Sequence, residues 1–203
     1  MAYPTVSAPY GFRPVNLLGG RVFAGSTRQM AIQNAHGTNI FYGDVVILSS
    51  NGCITGAVLT ATAVNVAGVF LGCSYINSSG QRVYAQYFPA GTTGTVDTST
   101  GITAYVADDP QVLMKVALVS SGTTISGRTR DVVGENLAIV YNSGSTVTGD
   151  GAAGASTVGA TTTTLPLRVV DVVPETVNAS GSFTEVIVMW NPTINMYTSS
   201  SGV

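Results

Sequence analysis

No stretch of this chain repeats apolar residues at the i, i+3, i+4, i+7 spacing for the length a major helix needs. Short apolar runs cut by Gly, Asn, Asp and Pro recur instead from Arg21 to the end. That pattern restricts the chain to strands joined by turns. Residues 29–34 alternate apolar and polar side chains, as a half-buried strand does. Tyr42-Gly43-Asp44 leads into Val45-Val46-Ile47-Leu48, and Ser50-Asn51-Gly52 follows, with Asn-Gly as a hairpin turn. Residues 66–75 and 82–88 flank Asn77-Ser78-Ser79-Gly80 as a second hairpin. Residues 103–107 and 112–120 flank Asp108-Asp109-Pro110 as a third. Further strands are expected over 137–141, 165–173 and 183–190. The expected class is all-β, a β-barrel or sandwich built from hairpins. Residues 126–134 allow one or two helical turns between capping residues and Gly134.

The first twenty residues read differently. Pro4, Pro9 and Pro14 hold the backbone extended. Tyr3, Tyr10, Phe12 and Arg13 are residue types enriched at interfaces, and Gly19-Gly20 ends the segment. The expected organisation is an extended N-terminal arm over 1–20 and one β-rich domain over 21–203. Removing residues 1–14 should then leave a folded protein that has lost a contact. Two stretches, 90–101 and 142–164, are dominated by Gly, Ala, Ser and Thr and read as long loops. Within the second, residues 161–164 are the part expected to pair as a polar strand.

Charged residues make up 9% of the 203 and hydrophobic ones 45%, against about 25% charged in ordinary globular proteins. Disorder driven by charge is excluded, because it needs high net charge and few apolar residues. Eight Lys plus Arg and a net charge of −2 form no basic stripe for nucleic acid. The N-terminus lacks the basic and apolar regions of a secretory signal. Residues 56–73 are interrupted by Thr60, Thr62 and Asn65 and fall short of the ~20 apolar residues of a membrane helix. A chain made in a cytoplasm, without membrane or nucleic-acid partners, is expected. Cys53 and Cys73 are expected to be reduced thiols that pack as small hydrophobes.

No enzyme can be assembled from these residues. His36 is the single histidine, and a zinc site usually needs three or four N/S ligands. Gly149-Asp150-Gly151-Ala152-Ala153-Gly154 matches a dinucleotide fingerprint, with Asp171 downstream. That motif has meaning only between a strand and a helix, and a Thr/Gly-rich stretch follows it. Asp108-Asp109-Pro110 is turn chemistry. Val186-Ile187-Val188-Met189-Trp190 is apolar on both faces, as a central strand is. Lys115, the only lysine, is expected to guard an edge strand against aggregation. No cofactor, metal or catalytic residue is expected.

Six phrases resemble small virion proteins of tailed bacteriophages, especially marine and cyanobacterial ones. They are Pro9-Tyr10-Gly11-Phe12-Arg13-Pro14-Val15, Ala24-Gly25-Ser26-Thr27-Arg28-Gln29, and Thr38-Asn39-Ile40-Phe41-Tyr42-Gly43-Asp44-Val45-Val46. The others are Gly68-Val69-Phe70-Leu71-Gly72-Cys73-Ser74-Tyr75, Thr129-Arg130-Asp131-Val132-Val133-Gly134 and Leu165-Pro166-Leu167-Arg168-Val169-Val170. The resemblance implies a head decoration, or cement, protein that binds the major capsid protein at the capsid surface. It further implies a β-rich fold, a homotrimer and an arm that reaches neighbouring subunits. The Gly43-Asp44-Val45-Val46 turn into a strand is similar to the small barrels of decoration proteins. Candidate capsid-contact residues are Tyr3, Tyr10, Phe12, Arg13, Arg21 and Phe23. The alternative is a tail or fibre component that meets a host glycan, with Tyr84, Tyr87 and Phe88 as candidate aromatics. The major capsid protein itself is disfavoured, since that shell fold needs a long helix and a longer chain.

Overall fold

The computed structural model describes residues 8–56, 65–93, 102–177 and 183–200. Fourteen strands follow one another: β1 (Arg13–Leu17), β2 (Arg21–Val22), β3 (Arg28–Ala31), β4 (Val45–Leu48), β5 (Ile54–Gly56), β6 (Val66–Ile76), β7 (Arg82–Ala85), β8 (Ile102–Ala107), β9 (Val112–Ser121), β10 (Thr124–Ile125), β11 (Asn136–Val140), β12 (Gly154–Ala160), β13 (Leu167–Val172) and β14 (Glu185–Trp190). The only helical elements among the described residues are two single 3-10 turns, Arg130–Val132 and Pro174–Thr176. The all-β expectation holds, and the first of these turns lies within residues 126–134.

The strands form two sheets. One runs β12-β11-β13-β14-β9-β1-β2, and β12 also pairs with β9. That extra pairing closes β12, β11, β13, β14 and β9 into a five-stranded barrel. The closure is parallel, through Ala155↔Leu118 and Ser156↔Val119, while every other barrel pairing is antiparallel. It works because β9 changes neighbours along its length. Its first half pairs with β1 and β14, its second with β12 and β10. The second sheet runs β3-β8-β6-β4-β5, with β7 on β6.

Closing so small a barrel needs small side chains at the seam. A Cβ on Gly154 would meet Val119 Cγ1 at 2.9 Å, and one on Gly159 would collide with Glu135. The Gly/Ala composition of 154–160 is therefore a packing requirement. Strand β12 lies there, and residues 161–164 form a connection. This corrects both the long-loop reading of 142–164 and the choice of its paired part.

Two clusters make the core. The first fills the barrel and its face toward the second sheet, with Val112, Met114, Val116, Leu137, Leu167, Val188 and Trp190 among its members. The second lies on the far face of the second sheet, with Ile32, Ile40, Phe70, Phe88 and Val106. Neighbouring residues of β6 serve different clusters: Val66 and Val69 the first, Ala67 and Phe70 the second. The strand is thus covered on both faces, and the irregular pairing with β4 between Val46 and Ile47 is why same-cluster residues stand three apart rather than two.

Two hairpins stand as expected: β4–β5 around Asn51-Gly52, and β6–β7 around residues 77–80. The third does not form. Strand β8 belongs to the second sheet and β9 to the barrel sheet, so Asp108-Asp109-Pro110 is a corner between sheets. It is still built by turn chemistry, for Asp109 Oδ1 accepts the Gln111 amide at 2.7 Å. Lys115 lies on a strand flanked by β1 and β14, not on an edge. Its ammonium lies 3.3 Å from Glu185 Oε1. Strand β14, between β13 and β9, is central as its apolar faces require.

Within the described part of the expected arm, residues 8–20, the chain from Phe12 is packed on the domain rather than free. Strand β1 pairs with β9 through Arg13↔Lys115 and Leu17↔Val112, and Phe12 is fully buried in the first cluster. An aromatic just before this strand has the first cluster to pack into, so burial prevails over display. Pro14 is tolerated because the pairing is irregular between Pro14 and Asn16.

Candidate interaction surface

The chemistry-bearing residues are each held by something structural. His36 follows Ala35, whose φ is 56°, in a turn. Its Nε2 lies 2.8 Å from Thr38 Oγ1 and 3.3 Å from Thr55 Oγ1, and burial pulls its pKa down. Among the described residues no group of three His, Cys, Asp or Glu side chains is placed to hold a metal. The two thiols are free, and burial pushes that of Cys73 up to about 12, which leaves it a weak nucleophile. The Gly149-Asp150-Gly151 segment opens no helix. Gly151 donates its amide to the Tyr42 carbonyl at 2.8 Å, and Asp150 bridges to Tyr42. A shallow groove of about 330 Å³ lies beside Thr163, Arg168, Met189 and Pro192, with Arg168 its only charged lining residue.

The candidate contact residues divide sharply. Tyr3 lies outside the described residues. Phe12 packs against Trp190 with ring centroids 6.1 Å apart and presents nothing to a partner. Tyr10 and Arg13 are half-buried and fasten the strand. The Tyr10 hydroxyl donates to Glu185 Oε1, and burial together with that bond pushes its pKa well above the ordinary value. Arg13 lies 4.2 Å over the Tyr42 ring and pairs with Asp150 at 2.8 Å. These two residues act as intramolecular anchors. Phe23 is half-buried and packs on the first cluster. Arg21 alone is fully on the surface, where its guanidinium bonds the Gln111 side chain.

Arg21 belongs to a feature the sequence reading passed over. Strands β1 and β2 form a hairpin at the end of the barrel sheet, and β2 pairs with nothing but β1. Gly19 and Gly20, with φ of +81° and +76°, make its turn, a conformation that side-chain-bearing residues avoid. Between residues 15 and 29 only Leu17 and Phe23 are even half-buried. Val15 and Leu18 are each 39% exposed and Val22 is 75% exposed. Isolated exposed apolar residues need no explanation, but three on one hairpin are a concentration; by the register Val22 shares its face with Asn16, and Arg21 shares the other face with Leu17. The signal was present in the sequence as Gly19-Gly20 between Val15-Asn16-Leu17-Leu18 and Arg21-Val22-Phe23.

The glycan-reading aromatics do not gather. Phe88 is fully buried, Tyr87 stacks on Phe41 at 5.5 Å, and only Tyr84 stands out, at 71% exposure. No described helix is long and apolar enough to cross a membrane. No protein-family profile, curated protein or solved structure matches this chain.

Proposed function

We propose that the chain is a bacteriophage head decoration (cement) protein, which binds the outer surface of the capsid and bridges neighbouring subunits of the major capsid protein. The observation that carries this reading is the β1–β2 hairpin at the sheet edge, where Val15, Leu18 and Val22 are exposed and Arg21 is exposed on the face opposite Val22. An exposed edge hairpin of this kind suits docking on another protein, with apolar side chains supplying contact on one face and the arginine a charge on the other. The resemblance to phage virion proteins supplies the partner. The surface is polar through Ser, Thr and Gly and scarcely charged, so copies crowd on a shell with little mutual repulsion. A homotrimer suits the role, because several weak hairpin contacts on one particle act together and each then holds far better than alone. No catalytic step is part of this reading.

Co-sedimentation of the purified protein with expanded heads that lack it tests the proposal. Saturable binding at a fixed ratio to the shell subunit supports it, and the ratio gives the symmetry. Absence of binding, with the protein present in whole virions, overturns it in favour of a tail or fibre component.

A further inference from the structure

Among the described residues, Asp44 is the one acidic side chain buried without a cation. It is 1% exposed, its Oδ2 accepts the Phe41 amide at 2.9 Å, and its Oδ1 has no hydrogen-bond partner. Oδ1 faces Gly151 so closely that a Cβ there would lie 2.5 Å from it. Around this carboxyl three separate segments close. The 41–44 turn takes the Phe12 amide on the Gly43 carbonyl at 2.8 Å and the Gly151 amide on the Tyr42 carbonyl at 2.8 Å. It also exchanges bonds with β6, Gly43 N to Phe70 O at 2.8 Å and Phe70 N to Asp44 O at 2.9 Å. Gly11 in turn donates to Ala153 at 3.1 Å. This is the joint between the barrel, the first strand and the second sheet.

We infer that Asp44 is a proton-operated latch on that joint: the neutral acid lets the three segments close on one another, and its ionisation loosens them. A charge facing a methylene in a dry joint is far costlier than a neutral carboxyl there. The groups packed around it do not relieve that charge. Arg13 of β1 is committed to Asp150 of the 142–153 loop at 2.8 Å. Tyr141, at the end of β11, feels Asp44 as a like charge that adds to burial in raising its own pKa. The 41–44 turn itself contributes Tyr42, whose ring lies under Arg13, and β6 contributes apolar Phe70. In agreement, burial pushes the Asp44 carboxyl up to about 7 against a smaller lowering by the Phe41 amide. The latch is shut in mild acid and loosens as pH approaches neutrality.

Amide hydrogen exchange on the full chain reads the joint, at Phe12, Tyr42 and Gly151, between pH 5 and 8 after correction for intrinsic rates. Protection at these amides is expected to fall about tenfold per pH unit between pH 5 and 7 and to level off above. In Asp44→Asn the slope is expected to vanish. Protection that is flat in the wild type, or that falls equally in Asp44→Asn, overturns the inference. The carboxyl carbon resonance of Asp44 in the wild-type chain decides independently of any variant: a midpoint near 7 supports the latch, and one below 5 overturns it.

Discussion

Phe12 and Trp190, from opposite ends of the chain, lie against each other in the barrel core with ring centroids 6.1 Å apart. Each is at most 1% exposed. The contact ties the segment before β1 to the last residue of β14, and β9 pairs with both strands. The segment that begins at Phe12 is thus part of the core that the barrel strands enclose.

Phe12→Ala should cost about 3–5 kcal/mol, the loss of a buried ring plus the cavity left behind. Deletion of residues 1–14 should cost at least as much, since it also removes Arg13 from β1. Thermal melts of both proteins check this. A deletion variant as stable as the full chain would restore the arm reading.

Gly68 has φ of +154°, and a Cβ there would lie 2.2 Å from the Ala107 carbonyl oxygen. The backbones of β6 and β8 approach where only hydrogen fits. Gly68→Ala should destabilise by more than about 1 kcal/mol through strain and displacement, measured by chemical denaturation. Gly52, with open space around its Cβ position, is the control. Its own φ of +77° leaves only the conformational part of the penalty.

Tyr10→Phe removes the donor to Glu185, a buried carboxylate that also pairs with Lys115. A hydrogen bond to a charged group of this kind contributes about 1.5–3 kcal/mol. Denaturation midpoints should drop accordingly, with Lys115→Met lowering them as well. An unchanged midpoint in both variants would show that Glu185 finds other partners.

Val22→Asp and Arg21→Glu lie on the exposed hairpin and should leave stability within about 0.5 kcal/mol of the parent. Head binding should weaken at least tenfold in each, because the first places a charge at the most exposed apolar residue of the hairpin and the second inverts the charge on its opposite face. Parental binding by the double variant would move the contact to another face.

Asp44 sets a pH trend of definite sign. Its folded-state pKa is raised, first by burial, to about 7. The acid's contribution to stability is therefore complete below the unfolded value near 4 and is lost as pH rises through 7. The loss is on the order of 4 kcal/mol. Asp44→Asn should gain on the wild type between pH 5 and 8 in denaturant titrations. A wild-type-to-variant difference that is constant across that range would contradict the trend.

Strand identity was legible because its causes are local. Alternation over 29–34, Asn51-Gly52 after Val45-Val46-Ile47-Leu48, and the turn over residues 77–80 act within a few residues of one another. The partner of each strand is a different matter. Residues 103–107 and 112–120 have every local sign of a hairpin, yet they part at Pro110 because β8 is taken by β3 and β6, and β9 by β1 and β14. The candidate surface was half legible: Arg21 is exposed on the edge hairpin, and Phe12 is in the core, since an aromatic suits a core as well as an interface.

The sequence by itself determined an all-β chain with turn-forming breaks and little charge, because propensity, periodicity and composition are properties of neighbours in the chain. Only the tertiary structure decided that Gly154–Ala160 is the seam strand, that Lys115 is paired and central, and that Asp44 is buried beside Gly151. Each of these depends on backbones distant in sequence approaching until a single Cβ, charge or hydrogen bond changes which arrangement is lowest in free energy.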